Sequence, residues 1–261
     1  MLVQGRSLEV EWWGPRISEQ PPIVLLHEGL GSVAMWRDVP AAIAERTGRR
    51  VMAYSRFGHG QSEPPLTPHT VRFMHDEAAL LPEIFDITGI HSAILLGHSD
   101  GGSIALIAAS QQPALVDGLI LEAPHVLVED ISIKSIERVT RHYAETHLRQ
   151  RLARFHADVD VAFRGWSEIW LDPAFRTWNL EEFLPTVTCP VLLIQGELDD
   201  YGTRRQVDTI ADRVAGPVER LILPECGHSP HRDKREQVMD AIARFIARQD
   251  GDRYLATRVQ P

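Results

Sequence analysis

Ser99, His228 and Asp199 are the residues whose types and surroundings fit chemistry at a carbonyl carbon. Ser99 lies in Gly97-His98-Ser99-Asp100-Gly101-Gly102, directly after the aliphatic run AILL (93–96) and directly before the helical pattern SIALIAAS (103–110). A G-x-S-x-G pentapeptide in that context predicts a sharp strand-to-helix turn with the hydroxyl exposed above the strand end. The flanking glycines leave room for a strained backbone at the serine. The helix that follows brings its N-terminal N–H groups to the same point, where they favour negative charge. In the alternative, Ser99 only caps that helix. A neutral hydroxyl is a poor nucleophile and needs a base, most often His, held in turn by a carboxylate. His228, in Cys226-Gly227-His228-Ser229-Pro230, follows the last aliphatic run, and Asp199, in Gly196-Glu197-Leu198-Asp199-Asp200, follows VLLIQ (191–195). Both are therefore expected in loops at the carboxyl ends of strands.

Several neighbours compete for roles. Glu122, in Leu121-Glu122-Ala123-Pro124-His125, ends the strand after the serine turn and is the alternative acid. His98 is expected to pack or hydrogen-bond below the site. The pair His228-x-x-His231 lacks the third and fourth ligands that a metal site requires, so no metal is expected. Cys226 is expected as a small buried residue. Trp36, following the loop after the run PIVLL (22–26), either lines the pocket or belongs to the core.

The elements that must position these residues follow a rhythm. Short β-branched and aliphatic runs at 22–26, 50–54, 93–96, 118–121, 191–195 and 220–223 suit strands buried on both faces of a parallel sheet. Helical patterns at 33–47, 68–88 and 101–112 separate them, ending before Gly48, Gly89 and Pro113. The alternation predicts βαβ units and a mostly parallel, doubly wound α/β sheet, with 9–13 as an antiparallel edge strand. The rhythm breaks between His125 and Pro185, where only helical stretches (132–155 and 159–171) are expected. That interval holds Trp166, Trp170 and Trp178, half of the six tryptophans. The expected organisation is a core of 1–124 and 186–261 with a helical cap inserted at 125–185. The polar tail 249–261 is set apart as disordered or packed on a partner.

Over nearly its whole length the chain resembles the α/β-hydrolase superfamily. The resemblance rests on the GHSDGG turn, on the chain order Ser, Asp, His, on His27-Glu28-Gly29-Leu30-Gly31-Ser32 after PIVLL, and on Ser55-Arg56-Phe57-Gly58-His59-Gly60-Gln61-Ser62 after RVMAY. It implies an α/β-hydrolase fold and an oxyanion hole made of the backbone N–H of Gly29, or of Leu30, with that of Asp100. It also favours Asp199 over Glu122 as the acid. Glu28 stands where relatives usually carry glycine; it either faces the pocket or pairs with an arginine. Ser55 stands where an Asp commonly opens the second turn, which is expected to be structural.

Composition bounds what remains. The chain has 261 residues, 27 Lys and Arg against 36 Asp and Glu, and a net charge of −9. That balance argues against a nucleic-acid partner, which needs clustered cations. Two cysteines make no disulfide framework. No apolar run reaches the ~18 residues of a membrane span, and the start lacks the apolar core of a secretory signal. A cytoplasmic protein is expected. The expected reaction is hydrolysis of an ester-type acyl bond, in a carboxylic ester or lactone, through an acyl-enzyme on Ser99 and without a cofactor. Glu28, Trp36, His98, His125, Trp166 and Trp170 are the expected pocket residues for a small or medium substrate. Two alternatives stay open: cleavage of a carbon–carbon bond in a meta-cleavage-type diketone, and a non-catalytic ligand-binding homologue.

Overall fold

The computed structural model describes residues 1–258, with side chains through 251. A small hairpin of β1 (Leu2–Val3) and β2 (Arg6–Ser7) precedes a seven-stranded sheet. Its strands are β3 (Val10–Trp13), β4 (Ile23–Leu26), β5 (Val51–Tyr54), β6 (Ala93–His98), β7 (Val116–Glu122), β8 (Val191–Gly196) and β9 (Val218–Leu223), in the order β3-β5-β4-β6-β7-β8-β9. Only β3, at the edge, runs antiparallel; the other pairs are parallel. Every residue of β4, β5, β6 and β8 is buried, which is why these strands read as mostly apolar runs without alternation.

The helices are α1 (Val39–Thr47), α2 (Phe73–Thr88), α3 (Asp100–Gln111), α4 (Asp130–Glu145), α5 (Leu148–Leu152), α6 (Val159–Trp170), α7 (Arg205–Arg213), α8 (Pro230–Asp233) and α9 (Arg235–Arg258). Successive strand residues point to opposite faces. Ile23 and Leu25 therefore join a core with Ile43 of α1 and Ile242 and Phe245 of α9. Val24 and Leu26 join the opposite core with Leu81 of α2, Leu106 of α3 and Ile210 of α7.

Several boundaries differ from expectation; the helix expected over 68–88, for one, begins only at Phe73. The helix expected over 33–47 is a 3-10 turn, Val33–Trp36, followed by α1. Arg37 separates them with φ 55° and ψ −121°, a conformation no helix tolerates. The helix expected over 132–155 divides into α4 and α5, and between them the Thr146 hydroxyl accepts the Leu148 N–H at 3.2 Å. Helix α9 runs into the 249–261 tail as far as Arg258; residues 259–261 lie outside the described residues.

Helices α4 to α6 lie between β7 and β8, in the interval where no strand was expected. The two ends of this insertion are tied together. The Leu180 N–H donates to the Val126 carbonyl at 2.7 Å, and the Gln206 side chain on α7 accepts the Val126 N–H at 2.8 Å. From β4 the strand order departs to β5 on one side and β6 on the other, and ligands of such sheets bind at the carboxyl ends of the strands near that reversal.

Candidate active site

Ser99 occupies the turn between β6 and α3 with φ 54° and ψ −117°. Such a backbone costs on the order of 1–3 kcal/mol and persists only where its surroundings impose it. Here the Ser99 N–H donates to the Glu122 carbonyl at 2.9 Å, and the Ser99 carbonyl accepts Gly102 N–H at 2.8 Å. The glycines let the turn close: a Cβ on Gly101 would lie 2.0 Å from the Leu26 carbonyl oxygen, and one on Gly97 2.3 Å from that of Gly101.

The Ser99 hydroxyl meets His228 Nε2 at 3.0 Å. On its other edge His228 Nδ1–H donates to both oxygens of Asp199, at 2.8 and 2.9 Å. Asp199 also accepts Tyr201 N–H at 2.8 Å and Gln195 Nε2–H at 2.8 Å. The imidazole is held between the rings of Tyr201 and His98, with centroids 4.6 and 5.2 Å away. His98 Nε2–H donates to the His228 carbonyl at 2.6 Å. Burial pulls the His228 imidazole down, but the Asp199 hydrogen bond and charge outweigh it and leave His228 above its ordinary value. Burial pushes the Asp199 carboxyl up, and the His228 bond and charge reverse this, holding it below the usual range.

Glu122, the alternative acid, is engaged elsewhere. Its Oε2 accepts both the His231 N–H at 3.1 Å and His231 Nδ1–H at 2.8 Å. The two histidines of His228-x-x-His231 thus serve different carboxylates, and among the described residues no group of three or more His, Cys, Asp or Glu could hold a metal ion. Cys226 is buried with its thiol pushed up to about 11 by burial, so it is inert near neutral pH.

In the loop after β4, Glu28 makes no ion pair among the described residues. Its Oε2 instead accepts the Leu30 N–H. Leu30, one of the two expected oxyanion donors, is thereby occupied. The N–H groups of Gly29 and Asp100 have no protein acceptor among the described residues. Burial pushes the Glu28 carboxyl up and raises that of Asp100 to about 6.

A cavity of about 430 Å³ opens over Ser99 and His228, lined by Glu28, His125, Ile136, Leu152, Trp166 and Trp170. Trp170 Nε1–H donates to Asp100 Oδ1 at 3.2 Å, and burial drives His125 down to about 3. Trp36 does not reach this cavity. It is buried against His231, with ring centroids 5.2 Å apart, and walls an adjoining space of about 330 Å³ that shares Glu28 and His98. Sequence reasoning missed Gln195 and Tyr201, which hold Asp199, and Arg56, His59 and His156, which hold the Gly29 loop. None of these stands in a spacing that announces its contact.

The fold and this site define a class. The family described as the alpha/beta hydrolase fold matches residues 21–168, and the chain belongs to that family. Among its relatives is the sn-1-specific diacylglycerol lipase ABHD11 of Mus musculus, 24% identical over 87% of this chain and 81% of the relative. The serine hydrolase BPHL of Homo sapiens is 29% identical over 69% of this chain and 64% of the relative. Similar solved structures include the enol-lactonase of Burkholderia xenovorans LB400, with a TM-score of 0.74, 20% identity and coverage of 94% and 98% of the two chains. A carboxylesterase structure from Nitrososphaera gargenis has a TM-score of 0.76, 23% identity and coverage of 95% and 96%. The relatives are hydrolases, which supports hydrolase chemistry for this chain. Among the described residues, no helix is long and apolar enough to cross a membrane.

Proposed function

We propose that the protein is a serine hydrolase that cleaves a carboxylic ester or lactone through an acyl-enzyme on Ser99. The observation that carries this is the continuous relay from Ser99 Oγ to His228 Nε2 at 3.0 Å and from His228 Nδ1 to Asp199 at 2.8 Å. His228 takes the hydroxyl proton as Ser99 Oγ bonds to the substrate carbonyl carbon. Asp199 fixes the tautomer that leaves Nε2 free to accept, and stabilises the imidazolium. The carbonyl oxygen, now carrying negative charge, is held by the N–H groups of Gly29 and Asp100. Collapse of the tetrahedral species expels the alkoxide, which receives the proton from His228. Water, deprotonated by His228, then releases the acid and restores the Ser99 hydroxyl.

The cavity supports a substrate class. Its volume of about 430 Å³ and its Ile136, Leu152, Trp166 and Trp170 walls suit a small or medium substrate with an apolar acyl or alcohol part. The 125–185 segment, which supplies those four residues, acts as a cap that selects the substrate. Incubation with a fluorophosphonate should add one phosphonyl group to the intact mass of the protein and none to Ser99→Ala. A panel of p-nitrophenyl esters and lactones should lose turnover in the same variant. Turnover surviving Ser99→Ala refutes the proposal, and absence of an adduct under conditions that label a control esterase does the same.

A further inference from the structure

Whether a backbone N–H can stabilise an oxyanion depends on which way its peptide plane faces, because a flipped plane offers a carbonyl in its place. Three successive planes between Glu28 and Gly31 are each pinned. The Glu28 carbonyl accepts Arg56 Nη2–H at 3.1 Å and Gly31 N–H at 3.0 Å, which fixes the plane that carries the Gly29 N–H. In the next plane the Gly29 carbonyl accepts from His59 Nε2 at 2.9 Å, while the Leu30 N–H goes to Glu28 Oε2. In the third plane the Leu30 carbonyl meets His156 Nε2 at 3.0 Å.

His156 is the clamp that comes from outside the α/β core. It lies between α5 and α6, 126 residues along the chain from Leu30. Its opposite ring nitrogen, Nδ1, accepts the Gly60 N–H at 3.0 Å. That bond leaves the lone pair on Nδ1 and the proton on Nε2, the tautomer that can donate to Leu30. The following residue, Ala157, donates its N–H to the Gly60 carbonyl at 2.8 Å, so the inserted segment and the Gly60 turn are joined by two bonds. Gly60 is a firm support. It has φ 56°, and a Cβ there would lie 2.0 Å from Glu9 Oε2 and 2.3 Å from Ser55 Oγ.

The same inserted segment touches both candidate oxyanion residues. The Trp166 indole lies so close to Gly29 that a Cβ there would be 2.2 Å from Cδ1, and Trp170 Nε1 holds the Asp100 carboxylate at 3.2 Å. We infer that His156 is a positioning residue for the oxyanion hole, and that the inserted helices complete that hole as well as cover the substrate. Displacing them removes the His156 bond from the Leu30 carbonyl and the Trp166 wall from Gly29, so a displaced cap loosens the loop that aims one of the two N–H donors at the Ser99 oxyanion. This rests on the proposed role of Ser99 and Gly29.

Side-chain amides separate the two bonds of His156. In His156→Gln the amide N–H reaches the Nε2 position and keeps the donor to Leu30. In His156→Asn the amide oxygen reaches the Nδ1 position, keeps the acceptor for Gly60 and loses the Leu30 clamp. With p-nitrophenyl butyrate, kcat of His156→Gln should stay within about threefold of the parent, while that of His156→Asn falls roughly 10- to 100-fold, with KM and Tm unchanged in both. Equal losses of kcat in the two variants, a loss confined to KM, or a loss that follows Tm overturns the inference. Where His156→Asn does not fold, His156→Gln alone decides, since a retained donor must retain kcat. Fluorophosphonate labelling of the parent separates the two levels. Labelling with no selective effect at His156 rejects this inference alone, whereas absence of labelling rejects the role of Ser99 beneath it.

Discussion

Gly29→Ala adds one methyl group at the point where the proposed oxyanion loop meets the inserted helices. The new Cβ would stand 2.2 Å from both Cδ1 and Nε1 of Trp166. Carbon contacts are comfortable at ~3.5–4.0 Å, so the loop and the ring must separate by about 1.3–1.8 Å. The backbone at Gly29 is not left-handed, so alanine itself is not strained there. The collision is the whole perturbation. Trp166 is buried against Phe163, with centroids 6.0 Å apart, which limits its retreat and passes part of the displacement to the loop. A misplacement of ~1 Å at a catalytic group costs about 10² in rate, and complete loss of an oxyanion donor costs ~2.7–4 kcal/mol. The expected result is a fall of kcat/KM by roughly 10²-fold for p-nitrophenyl butyrate, mostly in kcat. Trp166→Ala opens the space, and in that background Gly29→Ala should cost less than about threefold, a coupling of ~2 kcal/mol. Trp166→Ala itself costs ~3–5 kcal/mol of stability, so the cycle is assayed well below its lowered melting temperature. An unaffected Gly29→Ala enzyme, or the same loss with and without Trp166, would refute the reasoning.

Two further outcomes follow from the charges around Ser99. His228 must be neutral at Nε2 to accept a proton, and Asp199 holds it above its ordinary pKa, so kcat/KM should fall as pH drops through a value above 6.5. Asp199→Asn removes the raising bond and charge; pH–rate profiles should show the limb at lower pH and kcat reduced roughly 10⁴-fold, and an unmoved limb counts against the relay. Asp100 is buried and raised to about 6 from the usual 3.8, so its charged form disfavours folding and stability falls as pH rises through that interval. Asp100→Asn keeps an oxygen for Trp170 Nε1–H and removes this cost. Urea unfolding should show a gain of roughly 2–3 kcal/mol near pH 8 that vanishes near pH 4, and an equal gain at both pH values contradicts the assignment.

Much of the sheet was legible because strands buried on both faces leave mostly apolar runs without alternation, and β4, β5, β6 and β8 are of that kind. The Ser99 turn was legible because its geometry is local: the glycines that allow the backbone to close are neighbours of the residue that is strained. Helix ends were less so. A single positive φ at Arg37 divides the expected 33–47 helix, and nothing in the type of that residue demands it. Likewise the expected 132–155 helix is interrupted at Thr146, whose hydroxyl bonds the His142 carbonyl and the Leu148 N–H, contacts that a solvent-exposed threonine has no obligation to make.

The sequence by itself determined the α/β alternation, the position of Ser99 on its strained turn, and the strand-end loops that bear His228 and Asp199. These follow from residue order and short-range sterics. Tertiary structure alone decided how the carboxylates divide between the histidines, with Asp199 on His228 and Glu122 on His231. Glu122 ends β7 and Asp199 lies in the loop after β8, and both are one bond from an imidazole; only their three-dimensional placement separates them. The same holds at the loop after β4. The Glu28 side chain folds back on Leu30 and leaves Gly29, and His156 arrives from 126 residues away to hold the next peptide. A hydrogen bond acts over about 3 Å of space whatever the separation along the chain, so contacts of this kind leave no period or spacing in the sequence.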